Sequence, residues 1–473
     1  MKAVIVGGGI VGLTTAYELV SAGCEVTLLD AGRCGGGASH GNAAKIALAE
    51  SAPVPAPGVL LQGIRWMLRP DSPLSIRPSL APGYLGFLLR MAAHCNRRDF
   101  DAGLDVHLRL GADANDLLDD YRRAGIGFQM HARGALLAFE TRERFEEHAA
   151  SLPAFASAGY VPQRLHDDDV LAAEPALSDR VRHGLLFSAD RQVEPDSLVA
   201  ALTRRIVERE ARVRENVEVS RFVRTGETVT AVVTTEAEVI GADSVVIAAG
   251  VSTGRLLAGL GHPVPIRAGK GYSIDYSPAP ISLRTSLTLE DARVAVTPLD
   301  GMLRLAGTME FGSRNDTVSD IRVDAIRRAA RSSFRDWADS ETEQSEGVPW
   351  AGSRPMTPDG LPVIGRLGTN VYVNSGHSML GLTLAPGSAR LLADLMTTGR
   401  SSHPADLLAR LSPERFLRSR WRAARSVTRR REAPHTTQPR RAAKPPVTPE
   451  PPGAVQRTRR HSTRRLSPVR TAS

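Results

Sequence analysis

Residues 4–30 constrain this chain more than any other stretch. The apolar run Val4-Ile5-Val6 predicts a strand that enters Gly7-Gly8-Gly9 directly, helical spacing follows from Ile10 to Ala22, and a second apolar strand, Glu25 to Leu29, ends on Asp30. Strand, glycine turn, helix, strand and terminal acid in this order form a dinucleotide-binding crossover. Gly7 permits the tight turn, Gly9 lets a pyrophosphate approach the backbone, and Gly12 lets the helix pack on the strand. The first amides of the helix then hold the phosphates. Asp30, 18 residues past Gly12, is placed to accept hydrogen bonds from a ribose diol, and its charge repels a 2′-phosphate, which argues against NADP.

A chain of 473 residues has room for two domains. Its net charge of +9 is unevenly spread. Residues 412–473 hold 17 Lys+Arg against 3 Asp+Glu, whereas residues 1–411 hold 43 against 48. The basic character therefore belongs to the tail, and the body is mildly acidic. Three cysteines (Cys24, Cys34, Cys95) make no disulfide framework and fit a reducing compartment. No His/Cys cluster predicts a metal site, and no apolar run is long enough for a spanning helix. Lys2, the following apolar run and Ser21-Ala22-Gly23-Cys24 imitate an export signal, but Glu18 interrupts the run and the nucleotide crossover accounts for the same residues.

Along the chain, a glycine-rich turn (Gly32 to Gly41) leads into Asn42-Ala43-Ala44, where a doubly wound fold places a cofactor loop. Residues 51–60 read as a loop and 84–124 as helical; Ala135 to Phe139 reads as a strand and Pro195 to Arg209 as a helix. Strands are predicted near 213–219, 229–234 and 238–248, the last ending in a small-residue turn at Gly250. Alternation predicts antiparallel strands at Gly271–Tyr276, Ser286–Glu290, Arg293–Val296 and Met302–Ala306, and residues 321–338 look helical. From Trp350 the text turns to prolines and Asp359-Gly360, then a strand at Val371-Tyr372-Val373, a glycine-rich segment from Gly376, and a helix from about Ala385 to Met396. One complete nucleotide fingerprint, with nucleotide-domain sequence at both ends, predicts FAD held as a fixed prosthetic group and electrons arriving from a small substrate.

Several blocks resemble the D-amino-acid dehydrogenase small-subunit family, within the glycine oxidase and D-amino-acid oxidase superfamily. They are the N-terminal crossover, Pro55-Ala56-Pro57-Gly58-Val59-Leu60 with Ile64-Arg65-Trp66-Met67, Lys270-Gly271-Tyr272-Ser273, Arg354-Pro355-Met356-Thr357-Pro358-Asp359-Gly360, and Asn374-Ser375-Gly376-His377 running on to Gly381. Order and spacing agree up to about residue 400. The resemblance implies FAD-dependent oxidation of an amino acid at its Cα–N bond, with hydride passing to the flavin and the imine hydrolysing to a 2-oxo acid and ammonia. The expected electron acceptor is a quinone or another partner. Arg354 matches the arginine that grips the substrate carboxylate, a task suited to a guanidinium because it offers two parallel hydrogen bonds. Tyr272, His377 and Met309 match positions at the substrate pocket or flavin. Ser39, Asn42, Val219, Gly250, Gly376, Gly381, Leu382 and Thr383 join Gly7, Gly9, Gly12 and Asp30 as expected cofactor contacts. The family's Gly-Thr-Leu-Gly-Trp is here Ser378-Met379-Leu380-Gly381-Leu382, so a second arginine found in some relatives is replaced by Met379 and the pocket is more apolar. His40 replaces a small or aromatic residue beside Asn42, and some relatives attach flavin through a histidine near this loop.

The predicted fold is α/β: a Rossmann-type FAD-binding domain (residues 1–75, 161–255 and 350–411) interleaved with an antiparallel α+β substrate domain (76–160 and 256–349). A basic amphipathic helix (412–431) follows, built on Ser412-Pro413 with Leu417, Trp421 and Ala424 on one face, and then a disordered basic tail (432–473). The tail suits weak contact with an anionic membrane surface, and nucleic acid is not an expected partner. The expected location is the cytoplasm, peripheral on the inner face of the membrane. Two other readings stand: an oxygen-using oxidase of glycine, sarcosine or a cyclic imino acid, and a flavoprotein adaptor for membrane or nucleic acid with vestigial catalysis.

Overall fold

The computed structural model describes residues 1–59, 72, 74–77, 79, 83–312, 316–337 and 347–417. All of them belong to one compact unit, Met1–Ala423. The Ile64-Arg65-Trp66-Met67 block and the tail from Arg418 onward lie outside the described residues.

The first sheet has the strand order Arg212–Arg214, Glu25–Leu29, Lys2–Val6, Ser244–Ile247, Val371–Ser375 and Val363–Leu367. The first five run parallel and the last is antiparallel. Ala3 to Val6 and Ser244 to Ile247 are buried on both faces, as their unbroken apolar sequence requires in a parallel sheet covered by helices. Helices Ile10–Ser21, Pro195–Glu208 and Gly381–Thr398 bury Leu13, Leu202 and Leu392 in one cluster against it. A three-stranded antiparallel layer (Val219–Thr225, Thr228–Thr234, Val239–Gly241) flanks this sheet.

The second large sheet runs Val348–Met356, Arg267–Tyr276, Met302–Phe311, Val294–Leu299, Ser286–Leu289, Ala135–Phe139, His183–Phe187 and Gln163–His166, with Leu74–Ile76 added beside Met302–Phe311. Helix Asp320–Ser333 covers one face through Val323, Ile326 and Ala330.

The structure corrects several boundaries. Strands Gln163–His166 and His183–Phe187 pair with the substrate-side sheet, so that segment does not switch at 161, and Leu74–Ile76, which straddles the predicted boundary at 75, joins the same sheet. The predicted strand at 213–219 is two strands in two sheets, separated by Asn216 at φ +58°, and 238–248 is likewise divided. Residues 84–124, read as helical, form three helices, the second capped by Asn96. Where the prolines from Pro355 onward predict turns beginning at Trp350, residues 348–356 form a nine-residue strand. That strand lies at the sheet edge, where proline removes no needed donor. The last described tail residues pack onto the body: Phe416 is buried, and Arg415 is paired with Asp359 at 2.7 Å rather than solvated.

Candidate active site

The carboxyl ends of the parallel strands open into a cavity of about 910 Å³ that continues to the second sheet. Gly7, Gly9, Asp30, Ser39, Asn42, Val219 and Gly250 line one part of it; Gly376, His377, Gly381 and Leu382 line another, with Met309 and Arg354 beyond.

At the nucleotide end, local geometry demands the glycines. Gly7 has φ +112°, and a Cβ there would lie 2.5 Å from the Ala248 carbonyl oxygen. A Cβ at Gly12 would lie 1.9 Å from the Gly7 carbonyl oxygen, so Gly12 is a packing glycine and does not line the cavity. Both Asp30 carboxylate oxygens are fixed by backbone, one by the Gly8 amide at 2.6 Å and the other by the Gly32 amide at 2.8 Å. Each oxygen keeps a lone pair for a ligand. Ser39 accepts from the Ile10 amide at 3.0 Å. The other first-turn amides have no acceptor within the helix, which suits an anionic group. Burial, Asp30 and Glu215 push the Cys34 thiol up to about 12, so it is no reactive thiolate.

In the middle, Gly376 (φ +78°) and Ser378 (φ +53°) bend the chain into helix Gly381–Thr398, whose N-terminus has no side-chain cap. The His377 ring is buried, with Nε2 at 3.2 Å from the Ser388 hydroxyl. Burial, with His107 adding repulsion, holds its pKa down at about 3. It is therefore neutral, and ring acid–base work is not supported. Thr383 does not line the cavity; its hydroxyl accepts from the Ala47 amide at 3.3 Å. Asn374 Oδ1 and Ser378 Oγ are buried without protein partners, and both residues line the cavity.

At the far end, Arg354 projects from its edge strand into the space left by Gly271, where a Cβ would lie 2.1 Å from the guanidinium carbon. Its Nη1 donates to the Thr308 carbonyl at 2.9 Å, and no acid pairs with it among the described residues. Burial alone lowers its pKa to about 10, so it stays cationic at neutral pH. Met309 is buried at the wall with Val54 and Leu74. Tyr272 is not brought to the cavity: its hydroxyl donates to Glu310 at 3.2 Å and it is 1% exposed. Lys270 is turned away as well, its Nζ donating to the Thr317 carbonyl.

Sequence reasoning missed three supports. Trp350 lies between Gly41 and Gly352, whose Cβ atoms would fall 1.8 and 2.0 Å from the indole. Arg304, 2% exposed, holds Asp275 through two bonds of 2.6 and 2.7 Å and donates from Nη1 to the carbonyls of His40 and Asn42. That arginine ties the cofactor loop to the second sheet. His40 bonds Asp196 at 2.7 Å and does not line the cavity. Lys45 is buried against Glu50 at 2.5 Å, and Glu50 is a cavity residue. The Trp350 contact had a sequence signal in its two glycines, whereas Arg304 and Lys45 looked like ordinary strand lysines and arginines.

The donor set fits FAD: a glycine turn with no room for a Cβ, a positive helix end, a ribose-side carboxylate, and a second uncapped helix end beside unpartnered polar atoms. The comparisons agree. The family model described as "FAD dependent oxidoreductase" (DAO) matches residues 2–395. A D-amino acid dehydrogenase of Methylobacterium sp. (strain 4-46) is 34% identical over 437 residues, 90% of this chain and 100% of the relative. One from Vibrio vulnificus (strain CMCP6) is 31% identical over 86% of this chain and 98% of its own length. Among solved structures, glycine oxidase from Geobacillus kaustophilus has the same fold, with a TM-score of 0.68 and 24% identity over 87% of this chain and 97% of that one. The chain belongs to the DAO family of FAD-dependent oxidoreductases.

Proposed function

We propose that this chain is an FAD-dependent dehydrogenase of D-amino acids, yielding a 2-oxo acid and ammonia and passing electrons to a quinone or another acceptor. The observation that carries the reading is Arg354, a half-buried guanidinium with no acid partner among the described residues, facing a cavity that begins at a dinucleotide crossover. An uncompensated buried cation is costly and is retained where a ligand supplies the anion. FAD, when bound, supplies the hydride acceptor.

The protein's own residues do the rest. Arg354 grips the substrate carboxylate through two parallel bonds and so fixes the direction of the Cα–H bond. Met309, Val54 and Leu74 form an apolar wall that keeps water from the reacting carbon. The free amides of Gly381 and Leu382, at a helix N-terminus, favour negative charge developing opposite them. Neutral His377 carries no positive charge, and no side-chain base is needed once the substrate amine enters uncharged. The D-stereochemistry follows the names of the relatives at 31–34% identity.

A quinone would be met at the cytoplasmic face of a membrane, where the basic segment after 412 gives weak surface contact. No described helix is long and apolar enough to cross a membrane. Incubation of the purified protein with D- and L-amino acids and a soluble quinone tests the reading. It predicts one 2-oxo acid and one ammonia for each quinone reduced, from D-enantiomers, with oxygen a poorer acceptor. Absence of a 2-oxo acid from every D-amino acid would overturn it, and oxygen as the faster acceptor would turn it into an oxidase.

A further inference from the structure

We infer that the Thr308 hydroxyl is a second donor to the substrate carboxylate, completing the grip that Arg354 begins. The inference rests on the proposed amino-acid reading and names a residue that neither the sequence nor the family resemblance singled out.

Four observations converge on this residue. First, the ladder between strands Arg267–Tyr276 and Met302–Phe311 slips here: Lys270 pairs with Glu310 and Tyr272 with Gly307, so three steps on one strand face two on the other. The extra residue is a bulge, a device that re-aims a side chain beside a site. Second, Thr308 has φ +56°, a left-handed conformation that a β-branched residue adopts only under constraint. Glycine or asparagine would sit there more easily, so backbone preference does not explain the threonine. Third, its hydroxyl is buried with no protein partner, and the residue lines the cavity. A buried hydroxyl without a partner is costly unless a ligand or water meets it. Fourth, the carbonyl of the same residue receives Arg354 Nη1 at 2.9 Å. Covalent geometry keeps a threonine hydroxyl within about 5 Å of its own carbonyl oxygen, which places it within reach of the group that Arg354 holds.

A carboxylate has about four lone-pair sites. Arg354 occupies two of them, and the threonine takes a third from the bulge side. The carbonyl of Thr308 orients the arginine while its hydroxyl touches the ligand. One strained residue thus sets both donors.

The test uses holoenzyme and two ligands, benzoate and a D-amino acid. Benzoate binding is read from the perturbed absorption of the bound flavin, and D-amino-acid turnover gives KM and kcat. Thr308→Val keeps the β-branched shape and removes the hydroxyl. It is expected to weaken benzoate at least tenfold and raise KM similarly, with kcat at saturation changed less than threefold. Thr308→Ser is expected to restore both within threefold. Thr308→Gly suits positive φ and folds even where valine does not, and it is expected to match the valine loss. The amide of the same amino acid, which lacks a carboxylate, is expected to be far less sensitive to the substitutions. Unchanged benzoate affinity in the valine or glycine variant would overturn the inference, and so would a loss that serine does not rescue, since that marks a packing role. Failure of the wild-type protein to oxidise any amino acid would instead strike the proposed function, a separate readout.

Discussion

Replacing Arg354 with methionine removes the guanidinium and keeps most of the stem, and two opposite effects are expected. Burial lowers the Arg354 pKa from 12.5 to about 10, which corresponds to a penalty on its charged form. At 1.36 kcal/mol per unit this is about 3 kcal/mol against the unliganded fold. The sign is clear: the folded pKa lies below the unfolded one, so the penalty is complete at any pH below about 10. Loss of the bond to the Thr308 carbonyl offsets about 1 kcal/mol of the relief. The variant without substrate should therefore be more stable by about 1–2 kcal/mol, a rise of roughly 1–2 °C in Tm for a chain of this length. Substrate recognition should suffer by about 2–4 kcal/mol, the range for breaking a buried charge pair. That is a fall of roughly 30- to 1000-fold in kcat/KM. The assays are thermal unfolding of the FAD-loaded protein without substrate, and steady-state turnover of a D-amino acid. A variant with lower Tm and unchanged kcat/KM would show instead that Arg354 is structural.

Other outcomes follow from the same geometry. Asp30→Ala frees the Gly8 and Gly32 amides and removes the ribose-side acceptor, so FAD affinity should fall by about 1–3 kcal/mol; equilibrium dialysis of flavin checks it. Arg304→Met should destabilise by about 3–5 kcal/mol, because Asp275 loses its partner and the His40 and Asn42 carbonyls lose their donor; denaturant titration checks it. His377 has a folded pKa of about 3 against 6.5 unfolded, so the unfolded chain binds its proton first and stability is lost as pH falls below 6.5. The slope should be about 1.4 kcal/mol per pH unit from this group, and His377→Gln should flatten it in unfolding curves taken at pH 7.5 and 5.5.

The nucleotide end was legible because its physics is local. A tight turn, a close helix–strand approach and an acid after the second strand are each written within residues 4–30, and Gly7, Gly12 and Asp30 lie where that reading puts them. The substrate end was legible only in part. Arg354 entered through the resemblance, but its strand was hidden by Pro355, since an edge position that tolerates proline depends on partners far along the chain. Tyr272 shares an alternating strand with cavity residues, yet strand register turns its hydroxyl toward Glu310. The Thr308 bulge is a mismatch between two strands and is invisible in either alone. Arg304 reads as a surface arginine until Asp275 and the loop at 40–42 are brought to it.

In the proposed function, an FAD-loaded cavity takes hydride from the Cα of an amino acid held by Arg354. Rapid anaerobic mixing of the purified yellow protein with a D-amino acid and with its Cα-deuterated form tests this most directly. Loss of the oxidised flavin absorbance is expected in the wild type, slower with deuterium, and only at far higher substrate concentration in Arg354→Met. A protein that stays colourless after reconstitution with FAD, or one that bleaches with equal ease when Arg354 is gone, would contradict it.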